Sequence, residues 1–130
     1  MTSIAPARAF KAAGFSRAAR KAGITDKELC KAIVQVMAGK ADDLGGGVFK
    51  KRLHDNHYRS IILARGRDNW VYEYLFAKKD RANIDEAELR GFRQLAKIYA
   101  GLTSVQVEAL LKDGDWIEIC RETARPETAP

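Results

Sequence analysis

The stretch DLGGGVFKKRL, residues 43–53, decides the fold, because three glycines lead directly into a strand-like run that carries three cations. Glycine loses more backbone entropy on folding than any other residue, so a triplet is kept where the chain turns tightly or approaches another group closely. The cations Lys50, Lys51 and Arg52 first suggest a phosphate-binding loop. Such a loop, however, ends in Gly-Lys-Ser or Gly-Lys-Thr and is followed by a helix, whereas a strand follows here. We therefore interpret the triplet as a hinge between a helical half and a sheet.

Three strand-like runs begin at this triplet. Residues 48–53, 58–65 and 69–78 are rich in Val, Ile, Tyr, Trp and Phe. The polar turns that join them are short, so an antiparallel meander is expected. In the last run an aromatic row falls on one face, because side chains alternate along a strand. The row consists of Trp70, Tyr72, Tyr74 and Phe76. It is typical of a sheet face that a helix covers, and Tyr74 lies nearest the basic end.

Two helices are predicted before the triplet. Residues 15–22 form a short helical pattern that a glycine ends, and residues 26–38 form an amphipathic helix. Thr25 is a suitable N-cap for the second helix, and Glu28, three residues later, completes a capping box. A short, alanine-rich strand is expected before both helices, at residues 7–13.

Two more helices are predicted after the strands. Residues 86–100 carry an apolar stripe at helical spacing, with Asn83 or Asp85 as the cap. A shorter helix begins at Thr103 or Ser104, and a short strand follows it at residues 116–120. The sequence thus predicts an α+β protein in which two helices precede an antiparallel meander and C-terminal helices follow it. One domain, residues 1–121, and a flexible polar tail, residues 122–130, are expected.

Charge is unevenly distributed along the chain. In total, 23 lysines and arginines against 17 aspartates and glutamates leave a net charge of +6. Residues 48–81 contain nine cations and four anions, whereas residues 85–122 contain five cations and eight anions. A positive field on one part of a small domain favours phosphate backbones or acidic protein surfaces as partners.

The cysteines and the apolar segments indicate whether the protein binds a metal and in which cellular compartment it resides. Cys30 and Cys120 lack the close spacing that a zinc site with His54 and His57 would need. We expect buried free thiols in a reducing compartment, and neither a metal nor a cofactor. The longest apolar runs are too short to cross a bilayer, and the first residues lack the apolar segment of a signal peptide. These features predict a cytoplasmic protein without a membrane partner.

Short motifs follow one another in a defined order across residues 15–111. They are FSR at 15–17, ARKAGITD at 19–26, DLGGG at 43–47, FKKR at 49–52, YR at 58–59, FAK at 76–78 with Arg81, NID at 83–85 and EL at 88–89. Their order and spacing resemble the RelE/HigB-type toxins of bacterial type II toxin-antitoxin modules, within the RelE/ParE superfamily. The resemblance implies an α+β fold with two N-terminal helices packed on a small twisted antiparallel sheet and with C-terminal helices. It also implies ribosome-dependent cleavage of mRNA, neutralised by an antitoxin that we expect to be a helix-turn-helix protein.

The sequence departs from the family pattern in two places. Family members carry a glycine-rich segment before the Tyr-Arg pair, where this chain has the turn HDNH at residues 54–57. This difference affects how the loop beside the expected active site would bind RNA. The alanine-rich first strand concerns packing only.

Cleavage of RNA through its own 2′-hydroxyl needs a base for the hydroxyl proton, cations for the charge on the phosphate and an acid for the leaving 5′-oxygen, but no metal. Side-chain alternation places Lys50 and Arg52 together on one face of their strand and Lys51 on the other. The resemblance, rather than strand register, implies that Arg59 and Lys78 meet at the scissile phosphate. The predicted catalytic residues are Lys50, Arg52, Arg59 and Lys78.

Further contacts to RNA are predicted around these four residues. Arginine holds its proton too tightly to act as a base near neutral pH, so Lys50 and the two histidines are the better proton carriers. Arg81 either contacts a phosphate or pairs with Asp85 or Glu88 at helical spacing. The predicted RNA-binding residues are Lys51, His54, His57, Tyr74 and Arg81. The glycine triplet would keep side chains out of the path of the RNA.

The leading interpretation is a toxin that cleaves mRNA in the ribosomal A site and is held inactive by an antitoxin covering its basic face. Two alternatives stay open. One is a ParE-like inhibitor of DNA gyrase, which shares the architecture but has no nuclease residues. The other is a non-catalytic RNA-binding or regulatory module.

Overall fold

The computed structural model describes residues 7–66 and 69–121, which form a six-stranded sheet with helices on both faces. The predicted tail at residues 122–130, the first six residues and two residues of the second predicted turn, 67 and 68, lie outside the described residues. The elements in chain order are β1 (Arg8–Ala12), α1 (Ala13–Ala22), α2 (Asp26–Met37), β2 (Asp42–Gly45), β3 (Val48–Leu53), β4 (Tyr58–Arg65), β5 (Asn69–Ala77), α3 (Glu86–Ala100), α4 (Ser104–Asp113) and β6 (Trp116–Ile119). The predicted α+β class is confirmed.

The sheet is mixed, whereas an antiparallel sheet was expected. Its strand order is β2-β3-β4-β5-β1-β6, and β3, β4 and β5 form the predicted antiparallel meander. β1 lies inside the sheet, parallel to β5 and antiparallel to β6. The interior position of β1 follows from its side chains, since Ala9 and Phe10 point to opposite faces and are both buried.

Helices cover both faces of this sheet. On one face, α1 and α2 pack through Phe15, Leu29 and Ile33 against the even-numbered side of β4 and the start of β5. On the other face, α3 packs through Ala96 and its neighbours, and α4 packs through Val107. The first face is called the α1 face below, and the second the α3 face.

A bulge in β5 divides the aromatic row that was predicted on a single face. Tyr72 and Tyr74 lie opposite adjacent residues of β4, so Glu73 between them is an extra residue without a partner on that strand. Such an insertion moves the side chains that follow it to the other face. Trp70 and Tyr72 therefore pack on the α1 face, whereas Tyr74 and Phe76 pack on the α3 face.

The glycine triplet closes a hairpin. β2 precedes β3, and Gly46 and Gly47 join the two strands. Both glycines have a positive φ, 64° and 84°, as a two-residue type I′ turn requires. The side chain of Asp43 supports the turn by accepting a hydrogen bond from the N–H of Gly45 at 2.9 Å.

Helix α3 lies directly over this hairpin. Arg93 donates hydrogen bonds to the carbonyl oxygens of Leu44 and Gly45. A Cβ atom on Gly46 would lie 2.7 Å from the Cγ of Arg93, which is closer than real Cβ atoms approach. The interpretation of the triplet as a hinge beside an RNA path is therefore wrong, because a side chain of α3 occupies the space above it.

The helix N-termini follow the predicted caps with one exception. Thr25 accepts a hydrogen bond from the N–H of Glu28 at 3.2 Å, as predicted. The carboxylate of Glu28 does not complete the capping box, because it accepts a hydrogen bond from the backbone N–H of His54 at 2.6 Å. At α3, Asp85 and Glu88 form a complete capping box.

The two cysteines form a disulfide, so the prediction of free thiols is wrong. Cys30 on α2 and Cys120 after β6 are 90 residues apart in sequence, and their Cα atoms are 5.4 Å apart. Only the packing of α2 beside the end of β6 brings them together. The spacing of the cysteines in the sequence carries no sign of this.

Candidate nucleic-acid interface

Three of the predicted cations share the α3 face. Arg52 on β3 lies directly opposite Arg59 on β4, and opposite residues of an antiparallel pair point to the same face. Lys50 precedes Arg52 by two residues and therefore shares that face as well. Arg52 is exposed and Arg59 is half-buried. Lys50, Arg52 and Arg59 are called the cation row below.

The turn between β3 and β4 holds the guanidinium of Arg59. Its Nη1 donates to the carbonyl oxygens of Asn56 at 3.0 Å and of Tyr58 at 3.2 Å. Like charges placed directly opposite each other in a sheet are destabilising. The pairing of Arg52 with Arg59 is thus an arrangement that a bound anion would relieve.

Lys50 is enclosed by polar groups from two neighbouring segments. Its side chain is 16 % exposed, with Nζ 3.8 Å from Oδ2 of Asp42. The same Nζ donates to Oδ1 of Asn83 at 3.3 Å, just before α3. Sequence reasoning had considered Asn83 only as a helix cap. Its place in the NID motif was the one available signal for a role at the site.

An aromatic pair and a further arginine lie next to the cation row. Phe76 on β5 is directly opposite Arg59, and the Cζ of Arg81 lies 5.5 Å from the centre of its ring. Arg81 also donates to the hydroxyl of Tyr74 at 3.3 Å and to Oε2 of Glu88 at 3.0 Å. The hydrogen bonds that Arg81 donates, first to Glu88 and then to Tyr74, raise the pKa of Arg81, and the bond from Arg81 lowers the pKa of Glu88. Of the two roles considered for Arg81, the ion pair with Glu88 is present.

Lys51 is separate from the cation row. Its Nζ donates to the carbonyl oxygen of Lys40 at 3.1 Å, and alternation along β3 directs it to the α1 face. Burial lowers the pKa of Lys51, and the nearby charges of Lys40 and Arg52 lower it further. In this structure Lys51 therefore holds the segment before β2.

The turn that carries the two histidines has an uncommon backbone. His54, Asp55 and Asn56 are consecutive non-glycine residues with positive φ, at 56°, 53° and 71°. Glu28 supports this turn, since Nδ1 of His54 lies 3.1 Å from its Oε1. Glu28 thus anchors the turn to α2, close to Arg52 at the end of β3 and to Arg59 at the start of β4.

Lys78 and both histidines line one cavity on the α1 face. The cavity has a volume of about 490 Å³, and its described lining is Ala22, His54, His57, Tyr58, Ala77, Lys78 and Lys79. The backbone N–H of Lys78 donates to the carbonyl oxygen of His57 at 2.9 Å. Lys78 is therefore at the same end of the sheet as Arg59, but Arg59 is not among the residues that line this cavity.

The sequence from residue 7 to residue 119 matches the family model described as the RelE toxin of the RelE/RelB toxin-antitoxin system. The chain belongs to the RelE toxin family. Membership in this family makes it the toxin component of such a system and implies an antitoxin partner. Searches of curated proteins and of solved structures gave no match for this RelE-family toxin.

The described part of this RelE-family toxin contains neither a metal-binding cluster nor a helix that could span a membrane. Within residues 7–66 and 69–121, no three or more His, Cys, Asp or Glu residues are grouped so that they could hold a metal ion. Over the same ranges, no helix has the length and the apolar character needed to cross a membrane.

Proposed function

We propose that this toxin is an endoribonuclease that cuts mRNA in the ribosomal A site in the cytoplasm and thereby inhibits translation. The observation that carries the proposal is the directly opposed pair Arg52 and Arg59, with Lys50 on the same face. The repulsion within this pair is offset when a phosphate binds between the two guanidinium groups. Planar guanidinium forks match phosphate oxygens in a bidentate manner, which fixes the backbone as well as attracting it.

The same residues can supply most of the chemistry of strand cleavage. Attack of the 2′-hydroxyl on the adjacent phosphorus places extra negative charge on the phosphate oxygens, and Arg52 and Arg59 stabilise that charge. The imidazole of His54 or His57 takes the proton of the 2′-hydroxyl, and the ammonium group of Lys50 donates a proton to the leaving 5′-oxygen. The reaction leaves a 2′,3′-cyclic phosphate and a free 5′-hydroxyl, so its atoms balance without water. It requires no metal, since protein cations neutralise the charge that develops.

The neighbouring aromatic residues support a role in substrate binding. Tyr74 and Phe76 lie beside the cation row, and Arg81 bridges both of them to Glu88. Aromatic side chains stack on the unpaired bases of single-stranded RNA. In this proposal the partly exposed ring of Tyr74 holds a base next to the bound phosphate, and the buried Phe76 packs against it.

Primer extension on a translated mRNA tests the proposal. Wild-type toxin should produce cuts in phase with codons, and Arg59→Ala should reduce them by about two to three orders of magnitude, since one group that stabilises developing charge is lost. Lys112→Ala is the matched control, because it removes an exposed cation of α4 far from the cation row in sequence. Its cuts should match those of the wild type.

Two results would contradict the proposal. Undiminished codon-phased cuts by Arg59→Ala, or by a double change of Lys50 and Arg52 to Ala, would show that the chemistry lies elsewhere. Growth inhibition with DNA breaks and without mRNA cuts would instead assign the toxin to the gyrase-inhibiting class.

A further inference from the structure

A second feature at the same end of the sheet is a gap beside β5. β1 pairs with β5 only from Asn69 to Tyr72. In the described residues no strand lies beside the rest of β5 on that side, and α1 takes the place of one. Between α1 and this edge lies a cavity of about 450 Å³. Its described lining is Ala18, Lys21, Ala22, Tyr58, Tyr74, Leu75, Phe76, Ala77, Lys79, Asp80 and Arg81.

This cavity connects the two faces of the sheet. It includes Tyr74, Phe76 and Arg81, which adjoin the cation row on the α3 face. It also shares four residues with the cavity that holds the two histidines on the α1 face, and these are Ala22, Tyr58, Ala77 and Lys79. The two cavities together are called the edge groove. The edge groove begins at Tyr74, Phe76 and Arg81 and passes around the open edge of β5 to His54 and His57. Phe76 is directly opposite Arg59, so this end of the groove lies beside the cation row.

The walls of the edge groove are cationic and its floor is aromatic and apolar. Its charged residues are Lys21, Lys78, Lys79 and Arg81 against one carboxylate, Asp80. The partly exposed aromatic residues among its lining are Tyr58 and Tyr74. A positively charged groove that follows a backbone, with aromatic faces on which bases stack, is the arrangement that binds single-stranded nucleic acid without strong sequence preference.

We propose that the edge groove binds the nucleotides of single-stranded RNA that flank the phosphate held by the cation row. This inference rests on the proposed nuclease function and extends it to Lys21 and Lys79, which sequence reasoning did not select. It also gives a place to Lys78, His54 and His57, which line one of its two cavities. Tyr58 stacks on a base, while Lys21, Lys78 and Lys79 contact the phosphates on either side of it.

An acidic peptide pairing along the open edge of β5 is the competing occupant. Strand addition uses an accessible row of backbone N–H and C=O groups. Here Ala18, Lys21 and Ala22 of α1 form the facing wall, so the edge opens onto a helix. Two cavities of about 450 and 490 Å³ separated by shared side chains suit successive nucleotides better than one extended peptide strand.

The experiment measures the affinity of the full chain for 2′-O-methyl RNA strands of seven and three nucleotides, which cannot be cleaved because the attacking hydroxyl is blocked. The test variant carries Lys21→Ala and Lys79→Ala. The control variant carries Lys97→Ala and Lys112→Ala and loses the same two charges from exposed positions of α3 and α4. Both should retain the wild-type circular dichroism spectrum, since all four side chains are exposed.

Binding of the seven-nucleotide strand should be weakened when two lysines of the edge groove are removed. For the test variant, the slope of log affinity against log salt should become shallower by about 0.7 for each phosphate contact removed. The control variant should keep the wild-type slope. The three-nucleotide strand should discriminate the variants less, because it can be held at the cation row alone.

Several outcomes would overturn the inference. If the slope of log affinity against log salt were equal for the test and control variants, RNA binding would depend only on the net charge of the protein and not on the edge groove. Wild-type RNA affinity of the test variant combined with weakened binding of the cognate antitoxin would assign the groove to a peptide. The nuclease proposal is judged separately, since it fails if Arg59→Ala still cuts mRNA, whatever the groove variants bind. If Arg59→Ala abolishes cutting while the test variant binds RNA like the wild type, the groove inference alone is wrong.

Discussion

At the scale of single residues, the opposed arginines Arg52 and Arg59 are an arrangement that stability alone does not explain. The two guanidinium groups are cross-strand neighbours on the same face of the sheet, so they repel each other. In the described contacts, Arg59 donates to backbone carbonyl oxygens and not to a carboxylate. Arg81 differs, because Glu88 neutralises it. Among the described contacts, Arg52 and Arg59 are thus distinguished from Arg81 by the lack of a carboxylate partner.

The change Arg52→Gln should stabilise the protein in the absence of RNA while it weakens cleavage. Removal of one of two like charges across a strand pair should raise the free energy of unfolding by about 0.2–1 kcal/mol. Urea denaturation at low and high salt measures this, and the gain should shrink at high salt because exposed charges are screened. Lys112→Gln is the control for the loss of one exposed cation. A variant less stable than the wild type at low salt would show that Arg52 has a structural partner instead.

At the scale of elements, two local irregularities decide which side chains reach the site. The bulge at Glu73 transfers Tyr74 and Phe76 to the α3 face, where they meet Arg81. Burial raises the pKa of Glu73, whose carboxylate accepts a hydrogen bond from Tyr99 of α3 at 2.7 Å. The second irregularity is the glycine hairpin, which lets α3 lie close to the start of β3.

A comparison of two glycines tests the close approach of α3. Gly39 and Gly46 both have positive φ, 88° and 64°, but an added Cβ meets nothing within 4 Å at Gly39 and meets Arg93 at Gly46. Gly39→Ala should therefore cost only the backbone penalty of about 1–2 kcal/mol. Gly46→Ala should cost more, and the excess should fall when Arg93→Ala is added.

A double-mutant cycle in denaturant gives the coupling between positions 46 and 93. The expected coupling is favourable, because truncation of Arg93 removes the atoms that the new Cβ would meet. Equal costs for Gly39→Ala and Gly46→Ala, with no coupling to Arg93, would mean that the hairpin can move away from α3 freely.

At the scale of the whole molecule, the disulfide joins parts of the chain that the sheet alone does not hold together. Cys30 lies on a helix of the α1 face and Cys120 follows β6, which is an outer strand of the sheet. A link across 90 residues restricts the unfolded chain over most of its length. Because disulfides form in oxidising surroundings and are reduced in most cytosols, the stability of this toxin should depend on the redox conditions.

Reduction of the purified protein should lower its free energy of unfolding by about 2–4 kcal/mol. The midpoint of urea denaturation with and without a thiol reductant measures the effect. A variant with Cys30→Ala and Cys120→Ala should have a lower midpoint than the oxidised wild type and should not respond to reductant. If reductant leaves the wild-type midpoint unchanged, the two thiols are not bonded in solution.

The sequence by itself determined the elements other than β2, because they depend on local patterns. Hydrophobic periodicity and capping residues located α2, α3, α4 and β6, and short polar turns identified the meander. Alternation along β3 was sufficient to place Lys50 and Arg52 on one face and Lys51 on the other. The motifs also led to the RelE toxin family, which the family match confirms.

Only the tertiary structure decided what depends on contacts between distant segments. It placed β1 inside the sheet, paired Cys30 with Cys120 and set Arg93 over the glycines. The bulge at Glu73 was hidden as well, since one extra residue in a strand leaves no mark on its composition but reverses every side chain after it. The sequence could likewise select Arg59 and Lys78 as cations of one site, but only strand register, which pairs Tyr58 with Ala77 and Arg59 with Phe76, brings them to the same end of the sheet. Register depends on contacts between strands that are distant along the chain, so local patterns do not determine it.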